Sequence, residues 1–341
     1  MVYLDMLGFI NLAELAVGKS ASPGYEPLLA AARRARNERR AIFPLSSTHV
    51  IELRGIGDVQ RRRERVAIIE ELSGFHYMMG RPQIQELELK AALNDIPGVS
   101  IAPQGPIPLV RPSLWWAFGW PSGSVTNAPD PDALAKHICD KMSIDPGAEP
   151  MATLNLWVER ELLAGPDDEE DPDLVAAGYD PQKWRDILEK RVEQERYLVG
   201  QLDRDPKFRQ GRLRDVVNAR ELEIELGDRL ARMTTAMTTS IGQLLDYDRT
   251  KLRNFTDRMP STRVAVSLKA AYHKDNRHQW TTNDINDIDA LSIAVPYCDA
   301  VFTDKAARNK VVNSPELEVF NTFLPRTPQE LADWLDGLPS A

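Results

Sequence analysis

The residues in this chain best suited to chemistry are carboxylates placed where short apolar runs end. Val2-Tyr3-Leu4 runs straight into Asp5, and Ala300-Val301-Phe302-Thr303 runs into Asp304. Between these points, Glu52 sits in a helical pattern after Ser46-Ser47-Thr48, and Asp289 lies in the helical stretch Asp287 to Val295. Acids at the carboxyl ends of buried strands mark the edge where open α/β sheets place ligands. Carboxylates crowded there repel one another and invite a cation. Mg²⁺ or Mn²⁺, hard ions that take oxygen ligands and keep several waters, suit such a site. The predicted chemistry is hydrolysis of a phosphodiester by water that the ion acidifies and aligns. Asp5, Glu52, Asp289 and Asp304 form the expected catalytic and metal-holding set. Asp287, two residues before Asp289 and on another side of the helix, is a second-choice ligand. Each acid also has a plainer reading, as the cap of the helix that follows it.

The elements that must carry these groups read as strand, helix, helix, strand, helix over the first 57 positions. Ala41 to Leu45 is the second expected strand, Ala300 to Phe302 a third and Leu317 to Phe320 the last. This order predicts an α/β fold with a parallel sheet. Residues 58–260 read as a large, mostly α-helical insertion, so residues 1–57 and 261–341 form the expected core. Leu222, Ile224, Leu226, Leu230 and Met233 are expected to pack within that insertion. Thr327-Pro328 opens a final helix. Ser113 to Pro121, with Trp115, Trp116 and Trp120, is expected either to plug a helical junction or to face a partner.

Val2-Tyr3-Leu4-Asp5, Ser46 to Leu53, Asp289 to Ala294 and Val301 to Asp304 together resemble the PIN-domain superfamily of ribonucleases. The resemblance covers roughly residues 1–57 and 261–341. It implies a three-layer α/β/α core with a central parallel sheet and a Mg²⁺- or Mn²⁺-dependent endoribonuclease acting on single-stranded RNA. Asp5, Glu52, Asp289 and Asp304 would be its four acids, with Thr303 in support. Many members are toxins, which implies a cognate antitoxin as partner. Leu7 departs from the family, which carries a small polar residue there. A PIN-like scaffold with weak or no activity, binding a protein through the helical insertion, is the alternative.

Composition bounds these readings. The chain has 341 residues, 43% hydrophobic and 27% charged, which is ordinary for a globular protein. A net charge of −9 speaks against a general nucleic-acid coat protein. Local cations remain available for RNA phosphates: Arg308 and Lys310 after Asp304, and the runs Arg33 to Arg40 and Arg61 to Arg65. Those runs also read as solvated helix faces. Cys139 and Cys298 suggest no disulfide framework, and no leader or membrane span is evident, so a soluble cytoplasmic protein is expected. Gly18-Lys19-Ser20 lacks the earlier glycine and the strand of a phosphate loop. Ser46, Ser47 and His49 lack a nucleophile elbow and are expected to cap a helix. His273 and His278 are expected at a cation-rich surface.

Overall fold

The computed structural model describes residues 1–102, 105–120, 128–168, 171–176, 180, 182–235 and 241–339. Helix accounts for 66% of these residues. Four strands of three residues each are present among them: β1 (Val2–Leu4), β2 (His76–Met78), β3 (Val110–Pro112) and β4 (Ala300–Phe302). No sheet among the described residues exceeds two strands. The expected α/β class, with a PIN-like central parallel sheet, is therefore overturned, and the protein is mostly helical. The strand expectations failed at two apolar runs. Leu45 makes only an isolated parallel bridge to Tyr77. The run Leu317 to Phe320 lies in a 3-10 helix, Pro315–Phe320, begun by a proline that fits its first turn. Apolar runs of four or five residues do not separate strand from other buried backbone.

The chain divides into two compact units. The first comprises residues 1–80, 108–181 and 325–341, and the second residues 81–107 and 182–324. Residues 58–260, expected as one insertion, thus fall partly in each. The first unit is built on β1, all three of whose side chains are buried, with the Val2 amide donating to the Ile42 carbonyl at 2.9 Å. β2 pairs antiparallel with β3 and carries Tyr77 into the core. The final helix, Pro328–Asp336, begins as expected, with Thr327 Oγ1 accepting from the Glu330 amide at 3.1 Å.

Trp116 is buried in the first unit, its Nε1 donating to the Leu109 carbonyl at 3.2 Å. Trp115 and Trp120 are 43% and 64% exposed, so the tryptophan segment divides between plug and surface. Part of that segment's surroundings, residues 121–127, lies outside the described residues. In the second unit Leu222, Leu226 and Leu230 pack with Leu89, Leu93, Phe255 and Met259, and Met233 packs against them. The expected intramolecular packing is present, although Ile224 is exposed.

Arg62 lies inside the first unit, not on the helix surface. Its Nε, Nη1 and Nη2 donate to the carbonyls of Ala164, Ile56 and Pro166 at 2.7, 2.7 and 2.6 Å. Gly165, between two of these acceptors, has φ +77°, and a Cβ there would collide with the Arg54 guanidinium. Arg33, Arg34 and Arg63 of the two arginine runs pair at the surface with Glu71, Asp336 and Asp167, whereas the Arg40 side chain is largely buried and donates to the Leu335 carbonyl. The surface pairs fit the solvated-face reading.

His49 replaces the usual acid in the capping box of the Ser47–Arg54 helix. Its Nδ1 accepts from the Ser46 amide at 2.9 Å, which leaves the proton on Nε2, 2.7 Å from the Leu4 carbonyl. Capping is thus the role of the Ser46–His49 segment, as expected. Burial pushes the His49 pKa down to about 4 from 6.5, against the opposing pull of Leu4 and Asp5. The folded value lies below the unfolded one, so the unfolded chain takes up the proton first. Stability present above about pH 6.5 is therefore lost as pH falls toward 4, by roughly 3 kcal/mol. Urea titrations of wild type and His49→Gln at pH 7 and pH 4.5 check this. The variant, though less stable throughout, is expected to lack this component of the slope.

Candidate acidic site

Each unit sets a pair of acids against a buried tyrosine. In the first, Asp5 ends β1 and caps the Met6–Ala16 helix, its Oδ1 accepting from the Leu7 amide at 3.0 Å. Leu7 enters through its backbone, and its side chain is 47% exposed. Tyr3, two residues back, places its hydroxyl 2.9 Å from Ser46 Oγ and 3.2 Å from Thr48 Oγ1. Glu52 is half-buried on the helix those residues open. The Tyr3 phenol is pushed far up, first by burial and then by the charges of Asp5 and Glu52. Both carboxylates therefore act on the same buried ring.

The second unit builds its pair from the Thr282–Tyr297 helix and β4. Thr281 and Asp284 form a capping box, with the Thr281 amide and hydroxyl donating to Asp284 Oδ2 at 2.7 and 2.8 Å. Asp287 follows three residues on, on the same side of the helix. β4 is wholly buried, and its Val301 amide donates to the Phe323 carbonyl at 2.9 Å. Half-buried Thr303 then leads to Asp304, which caps the Lys305–Val312 helix by accepting from the Ala307 amide at 3.0 Å. A carboxylate oxygen of Asp287 lies within 4.8 Å of one from Asp304. That spacing lets one cation touch both.

Tyr272, on the Pro260–Lys274 helix, reports the field there. Its phenol is pushed far up by burial and then by Asp287, Asp284 and Asp304. Lys310 holds its ammonium over the Tyr272 ring, 4.1 Å from the centroid. Arg308 is half-buried, with Nε donating to the Leu324 carbonyl at 2.8 Å.

Asp289 is placed differently from the expected ligand set. Both of its oxygens accept from guanidinium groups: Arg81 Nη1 and both terminal nitrogens of Arg191, with Arg191 Nη2 at 2.8 Å from Oδ1. Arg81 also donates to Glu221 at 2.7 Å, and Lys269 donates to Glu221 at 2.6 Å. Although burial opposes ionisation, Arg191 and Arg81 hold the Asp289 carboxyl far below the usual range. Asp287, the second choice on sequence, is the acid of this helix that approaches Asp304.

Sequence reading missed this ion network, and it also missed His273. That residue is buried, not at a surface, with Nε2 2.8 Å from Glu195 Oε2, and burial lowers its pKa. One signal was available. Thr262, Ala265, Val266, Lys269, Tyr272 and His273 form a single stripe at helical spacing, so Lys269 falls on the buried face. A charge on such a stripe demands buried partners.

Comparison of the chain with protein-family models, with curated proteins and with solved structures gave no match. Among the described residues no helix is long and apolar enough to cross a membrane.

Proposed function

We propose that this protein is a metal-dependent phosphodiesterase, with single-stranded RNA as substrate. The observation that carries the reading is the Asp287–Asp304 pair, with oxygens within 4.8 Å and Asp304 just past a buried strand. Two carboxylates at that spacing suit Mg²⁺ or Mn²⁺, which keeps coordination places for water and a phosphate oxygen. A bound ion would acidify water, align it with phosphorus and stabilise the leaving oxygen. Asp287 and Asp304 hold the ion. Lys310 offers its ammonium to a substrate phosphate, and Tyr272 stays protonated, so that it adds no charge to the cluster. Arg308 and Thr303 support the chain around Asp304. Asp5 and Glu52 keep their sequence-derived candidacy as further acids, and Asp5→Asn is the variant that tests it. A toxin-like role with a cognate antitoxin extends the same reading. Both cysteines are free, which fits a reducing cytoplasm.

A cation that binds only the folded state raises the melting temperature, by an amount worth about 2.7 kcal/mol at one hundred times its Kd. Wild type is therefore expected to melt higher in Mn²⁺ than in EDTA, and Asp287→Asn is expected to lose most of that shift. Equal melting of wild type in both buffers would count against the reading. The exposed indoles of Trp115 and Trp120 favour a second reading, a protein-interaction module without activity, because exposed tryptophans are common anchors at interfaces.

A further inference from the structure

We infer that Arg81 and Arg191 are positioning residues, which grip Asp289 and thereby set the direction in which Asp287 faces Asp304. The inference rests on the divalent-cation reading above. Asp287 and Asp289 are two residues apart, about 200° around a helix of 3.6 residues per turn. A grip on one therefore fixes the rotation that aims the other. Asp287 approaches Asp304 within 4.8 Å, while Asp289 on the far side takes hydrogen bonds from two helices.

The grip is stiff for identifiable reasons. Arg191 meets Asp289 with both terminal nitrogens, a bidentate geometry that resists rotation of either partner. Arg81 is only 7% exposed and spans Asp289 and Glu221, so it cannot swing away without breaking two ion pairs. Glu221 is held in turn by Lys269, on the helix that carries Tyr272 three residues later. One helix thus reaches the ion network through Lys269 and the acidic pair through Tyr272. Glu225 lies 3.6 Å from Arg191 and 3.8 Å from Lys269, and Glu195 lies 3.3 Å from Lys269 and 2.8 Å from Arg220. Four cations, Arg81, Arg191, Lys269 and Arg220, thus face four anions, Asp289, Glu221, Glu225 and Glu195. Asp289's charge is thereby neutralised by guanidinium, and the cation-holding work falls to Asp287 and Asp304.

The test is direct Mn²⁺ binding to the full chain, followed by the paramagnetic signal of free Mn²⁺, for wild type, Arg191→Lys, Arg191→Gln and Asp289→Asn. Thermal melts by circular dichroism run alongside, and binding is read well below each melting temperature. Arg191→Lys keeps the charge but not the fork. It is expected to stay folded and to bind Mn²⁺ about tenfold more weakly, in line with the loss on removing a residue that orients a ligand. Arg191→Gln is expected to lose at least as much. Asp289→Asn, which frees the helix from the same side, is expected to resemble Arg191→Lys. If wild type binds no Mn²⁺, the cation reading itself fails and takes this inference with it. If wild type binds and Arg191→Lys binds equally well, positioning is refuted while the cation reading stands. Complete loss in Asp289→Asn with normal binding in Arg191→Lys would make Asp289 a ligand, which also overturns the inference. Should Arg191→Gln fail to fold, Arg191→Lys decides alone.

Discussion

Replacing Arg62 with methionine is expected to lower the unfolding free energy by roughly 3–5 kcal/mol, a large part of the total for an ordinary domain. The side chain is 1% exposed and donates to three carbonyls, at Ala164, Ile56 and Pro166. Methionine fills much of the same volume and supplies no donor. The three acceptors would then lose those bonds, the Ala164 carbonyl fully buried and those of Ile56 and Pro166 partly so, at up to about 1–3 kcal/mol each before relaxation. Urea titration of both proteins gives the difference directly. Arg61→Met, one residue away and exposed, is the control and is expected to stay within about 0.5 kcal/mol. Loss below 1 kcal/mol in Arg62→Met would show that water or a local shift replaces the guanidinium.

The second large effect concerns chemistry. Asp304→Asn is expected to reduce metal-dependent cleavage by at least about 100-fold, the upper range seen when even an outer partner of a metal ligand is lost. This variant separates function from fold unusually well. Asp304 caps the Lys305–Val312 helix, and asparagine caps a helix about as well as aspartate. The melting temperature in EDTA should therefore hardly move. A fall in activity that tracked a fall in stability would instead assign Asp304 to capping alone.

The sequence made some of this plain and hid the rest for physical reasons. Asp5 and Asp304 were visible because a short apolar run ending in an acid is a local pattern, and both do close a buried strand. Helix starts at Ser46 and Thr327 were visible for the same reason, since a cap and its partner lie three residues apart. Sheet architecture was not legible. Ala41 to Leu45 and Leu317 to Phe320 have the composition of strands, but what backbone they pair with is decided by distant residues. The fate of Asp289 was hidden more deeply. Its partners Arg81 and Arg191 are 208 and 98 positions away, and nothing near Asp289 announces them. Asp287 and Asp289 look alike in sequence. Only the structure shows one facing Asp304 and the other facing guanidinium.

The account stands or falls on whether the acids of the second unit support cleavage. The most direct measurement is digestion of a mixed single-stranded RNA pool by the purified full chain in Mn²⁺, with EDTA and Asp287→Asn run beside it. The account predicts cutting in Mn²⁺ that stops in EDTA and falls at least about 100-fold in Asp287→Asn. Cutting that persists unchanged in Asp287→Asn, or a wild type that neither cuts RNA nor binds Mn²⁺, would contradict it.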